Sequence, residues 1–460
     1  MTDNPYGVQT TYRQNPIVLN LKYFEDDEKR DSILNEFSSF NWENIDKEFD
    51  VAKEFHKNAL NSTNSDIEQF PRSRVYSRMG YSSADLDRSR VAGLEAIGRN
   101  ELCILTLAGG QASRLGATCP KGFFPLKLGY DEELKNCLFY LQALQIAALQ
   151  KVANGKILWL VMTSKSTDTE TRNLLPQVAK LAGLDDDQLM FFVQPEIPCF
   201  DENGRFLTGY GHILTAPNGN GGIYEAITPL LPDLRQRGIK YFHVYCVDNI
   251  LVRVGDPFFI GTCINNKADC AAKTVEKYDP HEKIGIFCID RRSPSDDVIY
   301  NFKHKNSLFN DCRVKVIEYS EITHEQAEER DPFTDKLMFR DGNIANHFFV
   351  IEFLEYAKYF TIPYHIAEKN IKVYDPRLKD TVVKGIKLER FIFDAFVHSK
   401  NFLIYEVSRD DEFAPLKNSD AVSHADCPTS CIAALEKLTS KWEKEHGCDL
   451  SKEELFKVFL

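Results

Sequence analysis

Four short apolar segments with a shared layout limit what this chain can fold into. Each is nearly continuous in apolar residues and runs directly into small or polar ones; they are 103–107, 157–162, 190–193 and 241–247. Continuous apolar runs of this length are typical of parallel strands that are covered on both faces. The stretches between these segments have apolar residues at helical spacing, as at Leu141, Leu144 and Ala148. The alternation predicts an α/β fold built on a doubly wound, Rossmann-like mixed sheet.

Differences in pattern along the 460 residues predict three parts, because a chain of this length exceeds one ordinary core. Residues 1–100 are charged and mainly helical, with Ile45, Phe49 and Ala52 on one helical face. Residues 101–365 carry the apolar segments and form the predicted central domain. Further apolar runs at 371–374, 391–393 and 402–405 indicate a second mixed sheet or a strand-helix unit, and we expect it to form a small C-terminal α/β domain over 366–460.

Composition excludes several classes of protein. A net charge of −12 argues against nucleic-acid binding. No apolar run approaches the roughly 20 residues that cross a bilayer, and the first residues lack the pattern of a secretory signal. Twelve cysteines are scattered through the sequence, as expected of free thiols in a reducing compartment. We therefore expect a cytoplasmic protein with no membrane or nucleic-acid partner.

The most informative segment is the glycine-rich stretch that follows the first predicted strand. Gly109 and Gly110 leave the backbone N–H groups accessible to a phosphate, and Arg114 and Lys121 supply cations. The stretch is not a Walker loop, because no Gly-Lys-Ser/Thr closes it. It also lacks the Gly-x-Gly-x-x-Gly of a dinucleotide-binding fingerprint. A plain turn is the alternative, but the added cations favour phosphate binding.

A family resemblance rests on several blocks in order. Gly-Gly-Gln-x-x-Arg-Leu-Gly from residue 109, followed by Pro-Lys-Gly122, resembles the eukaryotic-type UDP-N-acetylhexosamine pyrophosphorylases. The similarity continues through Val193-Gln194-Pro195, Pro217-Asn-Gly-Asn-Gly-Gly222, Val247-Asp-Asn249, Glu318-Tyr-Ser-Glu321, Gly342-Asn-Ile-Ala-Asn-His347 and Pro415-Leu-Lys-Asn418. One departure is Ala112-Ser113, where the family usually has Gly-Thr.

This resemblance implies the fold of a nucleotide-diphospho-sugar transferase and a uridylyltransferase reaction. UTP and N-acetylglucosamine 1-phosphate would give UDP-N-acetylglucosamine and pyrophosphate, with Mg²⁺ or Mn²⁺ as cofactor. The implied catalytic residues are Arg114, Lys121 and Lys417. The implied nucleotide-binding residues are Leu107, Ala108, Gly109, Gly110, Gln194, Gly219, Asp248 and Lys387. Asp248 is also the expected metal ligand. The implied sugar-binding residues are Asn220, Glu318, Tyr319 and Asn343.

Other readings remain open at this point. A UDP-glucose or other UDP-sugar pyrophosphorylase would use the same landmarks, and a non-catalytic relative could bind UDP-sugars without turning them over. Strand-end aspartates such as Asp248 are often turn residues, and lysines such as Lys417 and Lys387 are usually solvated. The sequence carries no signature of oligomeric state, and we expect a monomer or a weak homodimer.

Overall fold

The computed structural model describes residues 5–61, 67–291, 313–319, 321–375 and 379–447. Its strands are β1 (Ile67–Gln69), β2 (Val75–Ser77), β3 (Leu102–Leu107), β4 (Leu158–Thr163), β5 (Leu189–Val193), β6 (Glu196–Pro198), β7 (Thr208–Gly209), β8 (His212–Ile213), β9 (Thr215–Pro217), β10 (Tyr241–Cys246), β11 (Cys270–Glu276), β12 (Ile286–Asp290), β13 (Arg313–Ile317), β14 (Asp341–Val350), β15 (His365–Asp375), β16 (Lys379–Glu389) and β17 (Phe402–Val407). Its α-helices are α1 (Asn15–Asn20), α2 (Asp27–Ser39), α3 (Trp42–Asn61), α4 (Ser83–Gly98), α5 (Leu138–Ala153), α6 (Asp168–Leu181), α7 (Ile223–Ile227), α8 (Leu231–Gln236), α9 (Pro257–Asn265), α10 (His324–Glu328), α11 (Ile351–Tyr356), α12 (Arg409–Glu412) and α13 (Pro428–His446).

The chain forms two compact units that are not continuous in sequence. The first contains the described residues of 1–63, 194–223 and 361–394, and the second contains those of 64–193, 224–360 and 395–460. This division differs from the three consecutive parts expected at 1–100, 101–365 and 366–460. Strand pairing between distant segments decides the units, and such pairing leaves no local mark on the sequence.

A mixed sheet is the framework of the second unit. Within the described residues it has eleven strands, with the path β2-β17-β11-β14-β10-β3-β4-β5 and with β1, β12 and β13 beside it. β10, β3, β4 and β5 run parallel, whereas β14 is antiparallel to both β10 and β11. The predicted mixed α/β sheet is confirmed. The chain passes from β3 to β4 and β5 on one side and returns to β10 on the other, so the switch point lies between β3 and β10.

The parallel strands form because their apolar runs are buried on both faces. Every residue of β3 and of β4 is buried, as the continuous hydrophobic pattern predicts. α5 covers the sheet with a helix that is itself largely buried, and it ends at Asn154, which adopts the left-handed conformation with φ 51°. The register sets Leu107 level with both Cys246 and Met162, so the carboxyl ends of β3, β10 and β4 meet at one edge.

The first unit packs helices α1 to α3 against short strands and a long hairpin. Phe37 and Trp42 stack at 4.7 Å, and Phe206 packs beside them in the same core. The hairpin pairs β15 with β16 over eleven residues of each strand.

The segment expected to form a C-terminal α/β domain over 366–460 is shared between the units. Residues 371–374 lie in β15 as predicted, and 402–405 lie in β17, but β17 pairs with β11 and β2 in the central sheet. The run at 391–393 forms no strand, because Ile392–His398 is a 3₁₀ helix. Its apolar residues are buried as a strand's would be, and a short apolar run does not distinguish the two conformations.

None of the helices in the described ranges combines the length and the apolar character needed to cross a membrane.

Candidate active site

The glycine-rich turn follows β3 and exposes its backbone on one side. Its carbonyl groups are engaged: Ser164 Oγ donates to Gly109 O at 2.7 Å, and Lys121 N donates to Gly110 O at 3.0 Å. The N–H groups of Gly109 and Gly110 donate to no acceptor in the described part of the chain. A Cβ on Gly110 would meet open space, so the turn is accessible from outside. Two free N–H groups at a strand end form a cradle for an anion.

The far end of this loop is held by hydrogen bonds and by buried side chains. Ala112 N donates to Cys119 O at 3.0 Å, and Ala112 and Leu115 are buried in one apolar cluster. Ala112 has an ordinary φ of −82°, so this position does not require the glycine usual in the family. The chain reverses at Gly116, where φ is +81°.

Lys121 and Asp248 are brought together although 127 residues separate them. Lys121 Nζ lies 3.3 Å from Asp248 Oδ2, and the two side chains are 20% and 19% exposed. Arg114 projects from the 3₁₀ turn Ser113–Leu115, is exposed, and forms no ion pair with any described residue. Leu107 and Ala108 are buried directly before the turn, and their backbones are hydrogen-bonded within the sheet: Ala108 N donates to Met162 O at 2.8 Å, and Val247 N donates to Leu107 O at 3.1 Å.

Lys417 reaches the same place because its segment lies along the end of β10. Leu416 N donates to Asp248 O at 2.8 Å, and Ala414 N donates to Asn249 Oδ1 at 2.9 Å. Asn249 also donates from Nδ2 to Glu412 O at 2.7 Å. Asn249 was not among the predicted site residues. Its signal was its position directly after Asp248 at a strand end, where a side-chain amide can fix two backbone segments.

The pKa of the Cys246 thiol indicates that Asp248, Lys121 and Lys417 all lie near it. Burial, together with the Asp248 carboxylate, raises the pKa of Cys246 to about 12, while Lys121 and Lys417 oppose the shift. All three charged groups therefore act on one atom at the end of β10. Two cations and one carboxylate beside an open glycine turn suit a ligand that carries several negative charges.

Four predicted residues lie in the first unit, and three of them share a second glycine-rich turn. Gln194 donates from Nε2 to Gly219 O, and Asn220 Oδ1 accepts from Ile392 N at 2.9 Å. Gly219 has φ +86°, and a Cβ there would lie 2.2 Å from Arg390 O, so only glycine fits.

Lys387 is the fourth, and it lies in the hairpin. It pairs with Ala367 across β15 and β16 and is half-buried. Burial raises the pKa of Cys199 to about 11, and the Lys387 ammonium opposes that shift, which places the two side chains near each other. Lys387 forms no hydrogen bond to Gln194, Gly219 or Asn220 among the described residues.

The predicted sugar contacts of the second unit meet at Gly285. Asn343 N donates to Gly285 O at 2.8 Å, and Glu318 Oε1 lies 3.0 Å from the position that a Cβ of Gly285 would take. Any larger residue at 285 would displace the Glu318 carboxylate. Tyr319, beside Glu318, is 48% exposed. The structure therefore brings Glu318 and Asn343 together, although 25 positions separate them in the sequence.

Comparison with known proteins assigns this chain to the nucleotidyltransferases. A family model described as UTP–glucose-1-phosphate uridylyltransferase matches residues 48–296. A probable UDP-N-acetylglucosamine pyrophosphorylase of Caenorhabditis elegans is 44% identical over 366 residues, which are 76% of this chain and 70% of the relative. The chain therefore belongs to the UTP–glucose-1-phosphate uridylyltransferase family, in the group of UDP-N-acetylhexosamine pyrophosphorylases.

Two further relatives agree with this assignment. The UDP-N-acetylglucosamine pyrophosphorylase of Saccharomyces cerevisiae is 36% identical over 408 residues, covering 85% of this chain and 79% of the yeast protein. The crystal structure of uridine diphosphate N-acetylglucosamine pyrophosphorylase from Trypanosoma brucei superimposes with a TM-score of 0.76 at 29% identity. It covers 95% of this chain and 87% of the other. The resemblance noted in the sequence is confirmed.

Proposed function

We propose that this chain transfers the uridylyl group of UTP to N-acetylglucosamine 1-phosphate, forming UDP-N-acetylglucosamine and pyrophosphate. The observation that carries this function is the arrangement of Lys121 and Lys417 around Asp248, beside a turn whose two glycine N–H groups bind no acceptor within the described ranges. The names of the worm, yeast and trypanosome relatives support the choice of substrates.

The chemistry needs charge neutralisation more than proton transfer. An oxygen of the sugar phosphate attacks the α-phosphorus of UTP, and the bond from that phosphorus to the bridging β-oxygen breaks. A phosphate monoester loses its second proton near pH 6, so the nucleophile is already ionised at neutral pH. Two unit negative charges about 4 Å apart repel by about 4 kcal/mol at an effective dielectric of 20. Fixed cations that offset this repulsion are the main contribution the protein can make.

We assign each basic group a role in phosphate binding according to its position. The N–H groups of Gly109 and Gly110 and the ammonium of Lys121 bind the triphosphate. Arg114, exposed on the same loop, binds the pyrophosphate as it leaves, since a guanidinium can hold two phosphate oxygens at once. Lys417, carried on a separate segment, binds the incoming sugar phosphate.

Recognition of the base and the sugar uses uncharged and acidic groups. The amide nitrogen of Gln194 is held by Gly219 O, which directs the amide oxygen toward the donor on the uracil edge. Gly219 and Lys387 complete the nucleotide side, and Asn220 contributes to the sugar side. Glu318 and Asn343 bind sugar hydroxyls and the acetamido group, and Tyr319 covers that end.

We also propose Mg²⁺, or Mn²⁺, as the cofactor, with Asp248 as its protein ligand. Asp248 belongs to no cluster of three potential ligands among the described residues. That fits Mg²⁺, which commonly uses one or two carboxylates and takes its other ligands from water and substrate phosphates. When bound, the ion would neutralise phosphate charge. Asp248→Asn should raise the magnesium concentration needed for half-maximal rate; an unchanged titration would remove Asp248 from the metal site.

The test of the reaction is pyrophosphate release from the purified chain with a panel of nucleotides and sugar phosphates. We expect UTP with N-acetylglucosamine 1-phosphate to give a higher kcat/KM than UTP with glucose 1-phosphate. Preference for glucose 1-phosphate would instead identify a UDP-glucose pyrophosphorylase. Binding of UDP-N-acetylglucosamine with no pyrophosphate release from any pair would identify a non-catalytic relative. N-acetylgalactosamine 1-phosphate in the same panel decides which N-acetylhexosamine is preferred.

We place the protein in the cytoplasm. The ten cysteines within the described ranges are all free thiols, and most are buried. Unpaired buried thiols are typical of proteins that work in a reducing compartment.

A further inference from the structure

We propose that His281, His324 and Glu328 form a binding site for Zn²⁺, separate from the site at Asp248. Among the described residues this is the only group of three potential metal-ligating side chains whose ligand atoms all lie within 4.8 Å of one another. Two imidazoles and one carboxylate are a ligand set that Zn²⁺ favours and that Mg²⁺, which prefers oxygen ligands, does not.

Each imidazole presents one nitrogen to a different oxygen of the Glu328 carboxylate, and the three ligand atoms lie within 4.8 Å of one another. His281 Nε2 lies 3.2 Å from Glu328 Oε1, and His324 Nδ1 lies 3.4 Å from Glu328 Oε2. A tetrahedral Zn²⁺ with bonds of about 2.0–2.1 Å holds neighbouring ligand atoms about 3.3 Å apart. All three side chains are at least half exposed, so they have room to adjust around one ion.

Local structure fixes two of the ligands on one helical face. His324 and Glu328 are the first and last residues of α10, four positions apart, which is the spacing of side chains that meet on a helix. A capping box holds the start of this helix, with Gln326 N donating to Thr323 Oγ1 at 3.2 Å. Even though α10 has five residues, the backbone that carries both ligands is therefore determined.

The third ligand lies on a loop that is fixed by its own hydrogen bonds. His281 N donates to Asp279 Oδ1 at 2.8 Å. The next residue, Glu282, accepts from Arg409 at 2.6 Å and from Tyr278 N at 3.2 Å. Side chains on a fixed backbone bind a metal with a smaller loss of entropy than side chains on a flexible one.

Exposure on one side makes this an open site rather than a closed structural one. The three side chains are 55%, 72% and 50% exposed, which leaves the fourth position for water or another ligand, as in zinc sites with three protein ligands. A bound ion would also tie the loop before Gly285 to the helix after Glu318. The site itself does not depend on the proposed activity.

The experiment uses the full chain, freed of metal with a chelator and kept in excess Mg²⁺. Zn²⁺ binding is measured by calorimetry, and Co²⁺ serves as a spectroscopic probe of tetrahedral geometry. We expect one Zn²⁺ per chain. His281→Gln, His324→Gln and Glu328→Gln should each weaken affinity at least about tenfold, since loss of even an outer partner of a metal ligand costs 10–100-fold. The matched control is His212→Gln, another exposed histidine outside the cluster.

The outcomes separate this site from the proposed magnesium site. Asp248→Asn should leave Zn²⁺ affinity and the Co²⁺ spectrum unchanged. The proposal is overturned if the unaltered chain binds no Zn²⁺, if the three ligand variants bind it as the unaltered chain does, or if only Asp248→Asn abolishes binding. Circular dichroism of each variant establishes that its fold is retained, which is expected because all three positions are exposed.

Discussion

Replacing Lys121 by alanine is expected to lower kcat about 100- to 1000-fold, the usual effect of removing one preorganised charge-stabilising group from an active site. The ammonium lies 3.3 Å from Asp248 and next to the glycine turn, so its loss leaves negative charge on the triphosphate unopposed. Its effect on the free energy of unfolding should be about 1 kcal/mol or less, because the ion pair is partly open to water. Steady-state kinetics and urea unfolding of the same preparation measure the two effects.

Two variants make this result specific. Lys127 is exposed on the segment that follows the same loop, so Lys127→Ala removes a nearby positive charge without touching the turn and should keep nearly the full rate. Lys121→Arg keeps the charge with a different shape and should recover part of the activity. If Lys121→Ala stayed within a few-fold of the unaltered rate, the glycine turn would not be the triphosphate site.

Replacing Lys273 by methionine is expected to lower the free energy of unfolding by about 3–5 kcal/mol, the range found when one partner of a buried ion pair is removed. Lys273 is fully buried; its Nζ lies 2.6 Å from Asp256 Oδ2 and also contacts the buried carboxylate of Glu412. Methionine fills a similar volume but leaves the two buried carboxylates with only more distant cations, Arg78 at 3.8 Å from Asp256 and Arg253 at 3.6 Å from Glu412. Glu412 also supplies the carbonyl that binds Asn249, so the damage should reach the segment that carries Lys417.

The control for this prediction is a lysine in an exposed ion pair. Lys437 pairs with Asp410 at 2.7 Å, and both side chains are about two-thirds exposed, at 67% and 66%. Lys437→Met should therefore change the free energy of unfolding by about 1 kcal/mol or less. Urea unfolding at neutral pH measures both variants. If both lost the same free energy of unfolding, the buried ion pairs of Lys273 would contribute no more to stability than an exposed ion pair.

The loss in free energy of unfolding caused by Lys273→Met should depend on pH in one definite direction. Burial pushes the pKa of Asp256 upward, but Lys273, Arg78 and Arg253 outweigh it, so the pKa lies well below its ordinary value. A carboxylate with a lowered pKa contributes its stability above the unfolded pKa of about 4, and that contribution fades as pH falls toward the folded pKa. The difference between Lys273→Met and the unaltered chain should accordingly be full at pH 7 and shrink below about pH 4.

Much of the sheet could be predicted because burial on both faces leaves a continuous apolar signature. The strands β3, β4, β5 and β10 begin and end within a residue or so of the predicted segments. The antiparallel β14 and the return of β17 to the centre carry no such mark, because nothing local says which strand a segment will pair with.

The site residues likewise fall into two groups: those in local motifs could be predicted, and those that depend on contacts between distant segments could not. The glycine turn, Arg114 and Lys121 form one local motif, so their type and spacing could be recognised directly. Asn249 was missed because its side chain binds the backbone of Glu412 and Ala414, in a segment far away in the chain that leads into Lys417. The histidine and glutamate cluster was missed for the same reason: His281 lies 43 residues before His324, and only the pairing of their segments brings the two together.

What the sequence determined by itself is everything that depends on neighbours in the chain: the apolar strands, the glycine turn, and the ordered blocks that identify the family. What only the tertiary structure decided is every relation between distant segments. These are the two units built from non-consecutive segments, the pairing of Lys121 with Asp248, the position of Lys417 near Asp248, and the approach of Glu318 and Asn343 to Gly285. The physical reason is that local conformation follows from each residue's own steric and solvation preferences. Contacts between distant segments depend instead on how whole elements pack, and no short stretch of sequence specifies that packing.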